Sequence, residues 1–497
     1  MMSIRNLDLK SYAVISLLVL WASLTFAIAL TEIAFICALV LWTGWHIQLK
    51  KEAGISTPST TSVESRGHPV KHRVLSRVDW AFWTPLALFF IFVLTSFFTS
   101  EYPKESLRGL FKIAKPLLVF IMAMDLFHDT KSQKRFDGIF LATFLLVMID
   151  SSIQYTFGKD LLRGFAAEQS GSGIRLVGPF GNFAKMATYL VLVIPIFVMR
   201  FWNDFTQPRH RKQSFYNLAL ALAGFTLLFL TRCRGPVVAI VLSFGILFVY
   251  KRWFKVLGIV IVLCLALLAA MPRNMLIHQD AQGKEQSMEE RHVLWRRALD
   301  VIMAKPIFGT GINTYDKAHA KYDTLQQKKY IPISGTSVMI RQNPSGSVSF
   351  LTGNAIWTSD EKQKTIHFGG KEYNIHRDSK GRYSIWNDFI ARGYYVHNGY
   401  LQLAAEIGLP GIFCFLWFLF MFFRRVLRAL RPIRGSPEEY ARLGLMAGLL
   451  AFLFYAVGDN NLQSPPSLMF FWFSSGILLA RQNISAQEPT SSLPSEL

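Results

Sequence analysis

The sequence predicts an all-α polytopic membrane protein, and three observations carry that expectation. Of its 497 residues, 52% are hydrophobic and 14% aromatic, more apolar surface than one soluble core can hide. Apolar runs close to the ~20 residues that cross a bilayer recur along the whole length. The cationic side chains behind the formal net charge of +21 cluster between alternate runs, as the positive-inside rule requires. Together these predict about twelve transmembrane helices and one large outer loop.

The expected spans fall at about 12–30, 32–48, 80–99, 111–127, 138–157, 182–202, 216–231, 235–250, 256–272, 397–423, 441–458 and 466–480. The first has no small-residue cleavage site, and a second apolar run, Ile33 to Ile47, follows at once. It therefore reads as a first transmembrane helix and not as a removed signal peptide. The loops with Lys50, Lys51, Arg66, Lys71, Arg73 and Arg77, with Lys131, Lys134 and Arg135, with Arg209, Arg211 and Lys212, and with Lys251, Arg252 and Lys255 are basic. The loop with Arg424, Arg425, Arg428, Arg431 and Arg434 is the most basic. These are every second loop, which puts them and both termini in the cytoplasm.

The chain thus divides into helices 1–9 (1–272), an outer-loop subdomain (273–396), helices 10–12 (397–480) and a polar, Ser/Pro-rich cytoplasmic tail (481–497) expected to be disordered. The 52–70 stretch reads as a flexible linker. Cys37, Cys233, Cys264 and Cys414 are too widely spaced for a disulfide framework or a zinc site. Nucleic acid is excluded as a partner, because no basic, aromatic-interleaved soluble module exists. The positive charge fits anionic membrane lipids instead.

The outer loop opens on "SMEERHVLWRRALDVIMAKP". Ser287 and Glu290 have capping-box spacing, and Pro306 lies past the end. Leu294, Ala298, Val301 and Ile302 form an apolar stripe, so the helix is amphipathic and lies on the membrane or on other helices. Arg291 and Trp295 share one face. Further on, "SVMIRQNPSGSVSFLTGNAIWT" and "KTIHFGGKEYNIHRDSKGRYSIW" alternate polar and apolar residues between turn signals, which predicts a small β-hairpin insert.

Arginines on the outer side are informative, because the positive-inside rule does not account for them. Arg232 and Arg234 share a tight turn in "LTRCRGPVVA". Arg175 and Lys185 lie on the same side in "SGSGIRLVGPFGNFAKMATYL", with Arg291 on the amphipathic helix and Arg108 and Lys112 near the same boundary. Each alone could snorkel to a lipid headgroup. Several guanidinium forks at one membrane surface would suit a phosphate or pyrophosphate.

His397 opens "HNGYLQLAAEIGLPG", where a helix begins, and Gly408, Pro410 and Gly411 are expected to kink that helix. Spacing alone leaves His397 as either a polar helix start or a base. Glu406 is nine residues on, about 180° around the helix and about 13 Å along it. That geometry rules out a direct His–Glu dyad. Glu406 is expected to pair with Gln402 or with a neighbouring helix.

This last segment resembles the His-Asn-x-Tyr-Leu-x₄-Glu-x-Gly-x-x-Gly signature of the O-antigen ligase and polymerase superfamily. "TRCRGPVVA" resembles the family's Ser-Arg-Gly turn, with Cys233 in the serine position and Arg234 as the matching arginine. "ERHVLWRRALDVIMAKPIFGTGINTY" resembles its arginine, Trp-bearing helix and Gly-x-Gly turn, with Arg291 as the match. The resemblance runs from about Arg175 to Asn461.

It implies a bacterial inner-membrane enzyme that moves a glycan from undecaprenyl pyrophosphate to an acceptor sugar hydroxyl at the periplasmic face, without metal or cofactor. For the ligases that acceptor is the lipid A–core of lipopolysaccharide. His397 is then the candidate base, and Arg234 and Arg291, with Arg232 and Arg175, the candidate pyrophosphate ligands. A polymerase or a protein O-oligosaccharyltransferase would carry the same residues. A polysaccharide transporter or flippase fits less well. It would place ionisable groups near the midplane, often within repeats, whereas Asp150, the clearest embedded acid, lies toward the outer end of its span.

Overall fold

The computed structural model describes residues 8–55, 79–170, 173–207, 210–258, 288–322 and 395–484, together with seven short strands between 330 and 386. The expected span at 256–272 falls almost wholly outside these residues, as do Ser287, Cys264 and most of the tail.

Among the described residues, eleven helices coincide with the remaining expected spans: α1 (Leu9–Ser23), α2 (Ile28–Ile55), α3 (Trp80–Phe98), α4 (Pro103–Leu126), α5 (Thr130–Phe157), α6 (Phe183–Phe205), α7 (Arg211–Leu230), α8 (Arg234–Lys251), α11 (Gly399–Leu430), α12 (Pro437–Tyr455) and α13 (Pro465–Ile484). Two shorter helices, α9 (Met288–Ala304) and α10 (Tyr315–Tyr322), lie between α8 and α11. Seven helices among the described residues, α2, α3, α5, α6, α7, α8 and α11, are long and apolar enough to cross a membrane. The chain is an all-α polytopic membrane protein.

Several helices start earlier than hydrophobicity suggests, because polar caps rather than apolar runs set their ends. Asp129 accepts from Ser132 N at 2.8 Å and starts α5 eight residues before the expected span at 138. At the other end of the chain, α13 runs to Ile484, into the segment expected as tail. Arg481 holds it there: its guanidinium pairs with Asp137 at 2.7 Å, and its carbonyl accepts from Arg442.

The bundle is built around α6, whose residues from Met186 to Phe197 are buried. It packs against α7 and α12. Gly444 and Gly448 of α12 form a G-x-x-x-G face, and a Cβ at either would overlap the backbone of Ile196 or Leu192 on α6. Small residues thus bring these two backbones together where lipid supplies no hydrophobic drive. Asp150, at the far end of α5, is 1% exposed and accepts from the backbone N–H groups of Leu161 and Leu162 at 2.9 and 3.0 Å. It fixes the following loop, a structural role.

A two-stranded antiparallel ribbon, β1 (Glu168–Ser170) with β2 (Gly173–Arg175), precedes α6. The expected hairpin insert is also present. Strands β3 (Tyr330–Ile333), β4 (Thr336–Gln342), β5 (Val348–Thr352) and β6 (Ala355–Ser359) form one antiparallel meander. Strands β7 (Thr365–Phe368), β8 (Lys371–Arg377) and β9 (Tyr383–Trp386) form a second.

Candidate active site at the His397 end

Three segments meet at one end of the bundle. The first is the turn between α7 and α8. Leu176 N donates to Leu230 O at 3.0 Å, Arg175 Nε to Thr231 O at 3.0 Å, and Arg232 Nε to Ile174 O at 3.0 Å. Each arginine therefore clasps the other's strand or turn through Nε, and the Arg175 guanidinium lies 3.5 Å above the Phe183 ring. Arg232 sits in the left-handed region at φ 55°, where a non-glycine residue is uncommon. Cys233 occupies the N-cap of α8, and Arg234 is that helix's first, exposed residue. Burial pushes the Cys233 thiol above its ordinary range, with nearby Arg175 opposing. It therefore stays protonated and is a poor nucleophile.

The second segment is α9. Its expected apolar stripe is its buried face: Leu294, Ala298, Val301 and Ile302 are all at most 6% exposed. This face packs on α11 and α10, and Arg291, in the first turn of the helix, is exposed.

The third is the start of α11 with the loop after α12. Asn398, not His397, caps α11, accepting from Tyr400 N and Leu401 N at 3.1 and 3.0 Å. His397 lies just outside the helix at φ 53°, a strained conformation that must be held by its surroundings. Gly399 N is shared between Ala456 O at 2.8 Å and Asp459 O at 3.0 Å, and Gln463 Nε2 donates to Gly399 O at 2.9 Å. These bonds latch the loop 456–464 onto the histidine segment.

The loop brings Asp459 into electrostatic range of His397, and Arg291 acts on the same imidazole. Burial lowers the His397 pKa below the ordinary 6.5, Asp459 pulls it back up, and Arg291 reinforces the lowering. The ring is thus held neutral at neutral pH, with a nitrogen free of its acidic proton. Tyr455 donates its hydroxyl to Asp459. Gly235, next to Arg234, faces the Tyr455 ring, where an added Cβ would lie 3.3 Å away. A Cβ at Gly458 would lie 3.5 Å from Arg291 Nη1. Arg291, Asp459 and His397 are therefore neighbours, and the start of α8 at Gly235 lies beside Tyr455.

Residues 218–338 match the family model described as O-antigen ligase. That match covers 121 of the 497 residues. The matched stretch includes the α7–α8 turn and α9, and so contains Arg232, Arg234 and Arg291. His397 and Asp459 lie beyond it. No curated protein gives a significant match.

Asp459 and Tyr455 were not legible as site residues. The one signal available was positional: Asp459 is an acid in the short loop between the last two spans, on the side expected to hold His397. Glu406 behaves as its position requires and does not reach the imidazole. Gln402 Nε2 donates to it at 3.1 Å, and so does Asn313 N at 2.8 Å from the segment after α9.

Proposed function

We propose that the protein is an O-antigen ligase, moving a glycan from undecaprenyl pyrophosphate to a sugar hydroxyl of lipid A–core at the periplasmic face of the inner membrane. The observation that carries this reading is the convergence of one neutral histidine, one carboxylate and arginines from three separate segments at a single end of a membrane bundle. His397 takes the proton of the acceptor hydroxyl as its oxygen attacks the anomeric carbon. The bond from that carbon to the pyrophosphate oxygen breaks, and negative charge develops on the leaving group. Arg291 and Arg234 stabilise that charge, with Arg175 and Arg232 shaping the turn beside them. Asp459 orients the imidazole and stabilises it once protonated, and Tyr455 holds Asp459.

The test is reconstitution with a defined undecaprenyl-pyrophosphate glycan and, in parallel, three acceptors: lipid A–core, a second lipid-linked glycan and a peptide. Transfer to lipid A–core is expected, with the anomeric configuration inverted as one direct displacement requires. His397→Ala is expected to lose at least about a hundredfold in rate while remaining folded. Preference for either other acceptor assigns the chain to polymerisation or protein glycosylation instead, and full activity in His397→Ala removes the base.

A further inference from the structure

The glutamate of the α11 motif sits where two helices with different duties are joined. Gly408 interrupts α11 at φ 80°, and Pro410 follows without an N–H. In an unbroken helix the carbonyls of Ala405 and Glu406 would accept from residues 409 and 410. Here Leu409 N turns instead to Pro306 O at 2.7 Å, and Pro410 has no hydrogen to give. The two carbonyls left over accept from Thr310 N and Gly311 N, both at 3.0 Å. A buried carbonyl without a donor is costly, so the break in α11 and the Gly-x-Gly turn after α9 complete each other. Neither Gly309 nor Gly408 could carry a Cβ, which would overlap the Glu406 or Ile307 backbone.

The Glu406 side chain extends this junction to His397. It is 1% exposed, and Asn313 N donates to one of its oxygens while Gln402 Nε2 donates to the other. Gln402 Oε1 in turn accepts from Val396 N at 3.4 Å, the residue before His397. Lys112 donates to Asn313 Oδ1 at 3.1 Å and lies within electrostatic range of the Glu406 carboxylate. One buried path therefore runs from the turn that ends the Arg291 helix to the backbone that holds His397 in its strained conformation.

We propose that Glu406 is a positioning residue: through Gln402 and Asn313 it sets the spacing between His397 and the helix carrying Arg291. The proposal rests on the roles given to those two residues above. Donor and acceptor roles along the path make it testable by exchange. With Glu406→Gln, every orientation of the two amides sets one N–H against another. With Gln402→Glu, two carboxylates face each other. In the double exchange, the carboxylate now at position 402 would accept from Val396 N and from the new amide at position 406. The oxygen of that amide would still accept from Asn313 N.

The experiment measures transfer from undecaprenyl-pyrophosphate glycan to lipid A–core by the reconstituted full chain, with thermal unfolding of each variant alongside. Each single variant is expected to lose about a hundredfold in kcat, the scale of a misplacement near 1 Å, with the acceptor KM little changed. The double exchange is expected to regain most of that loss, which a merely packing role would not allow. A double variant as slow as the singles, or a Glu406→Gln enzyme as fast as the parent, overturns the proposal. Should Glu406→Gln fail to accumulate, Gln402→Met severs only the His397 side of the path, and parental turnover there is equally fatal. His397→Ala run in parallel separates the two levels, since activity in that variant removes the catalytic reading itself.

Discussion

The two ends of the bundle hold arginine in opposite ways. At the end where α12 starts and α13 finishes, several cations are matched by carboxylates. Asp137 Oδ1 accepts from Arg200 at 2.8 Å and from Arg481 at 2.7 Å. Glu438 pairs with Arg442 at 2.9 Å, and Lys251 meets both oxygens of Glu439 at 2.8 Å. At the His397 end, Arg175 is anchored through Nε to a backbone carbonyl and lies over the Phe183 ring. A carbonyl fixes a guanidinium without cancelling its charge. A cation already neutralised by a fixed carboxylate has little field left for an incoming anion, whereas one anchored on backbone retains it. The first arrangement suits a structural girdle and the second a site that receives phosphate.

That contrast can be broken by substitution at either end. The largest effect on transfer, after loss of His397 itself, is expected for Arg291→Ala: about a hundredfold or more in kcat/KM, the scale of removing one donor to developing charge. Arg291→Ala should also move the acid limb of the pH–rate profile upward, because Arg291 lowers the His397 pKa. A variant with parental kinetics would place the pyrophosphate elsewhere.

Asp459→Asn is expected to cost less than Arg291→Ala, roughly tenfold in rate, which corresponds to about 1.4 kcal/mol of lost transition-state interaction. Asp459 raises the His397 pKa, so its loss should shift the acid limb to lower pH, opposite to the Arg291 variant. Because burial already holds that pKa below 6.5, the active neutral form persists at mildly acidic pH in both parent and variant. Two shifts of the same sign would refute the pairing of Arg291 and Asp459 about one imidazole. The smallest effect on transfer is expected at the other end. Glu439→Gln leaves Lys251 buried without its charge partner and should cost about 3 kcal/mol of stability, seen in thermal unfolding. Turnover at a permissive temperature should remain parental; if it falls with stability intact, the two ends are not functionally separate.

Much of this arrangement could be read in the chain. Hydrophobic runs placed the helices, since lipid leaves no other way to satisfy the backbone, and the α9 stripe named its own buried face before any contact was known. The kink at Gly408 followed from the neighbouring proline. His397, Arg232, Arg234 and Arg291 stand out in the sequence because each is a polar or charged residue at a boundary where water and lipid compete for it. The cap was less legible: Asn398 rather than His397 starts α11, because an amide oxygen can reach two successive N–H groups while the histidine backbone turns left-handed.

What the sequence determined on its own was the class of the protein, its helices and the chemical types gathered at each boundary. Those depend on local composition, and periodicity records them. Tertiary structure alone decided the partnerships: Asp459 beside an imidazole 62 positions earlier in the chain, and the carbonyls of a broken helix completed by a turn nearly a hundred residues upstream. An acid in a short loop has no period and no cap to announce it. Its meaning comes from which distant backbone the loop is bonded to, and only folding makes that bond.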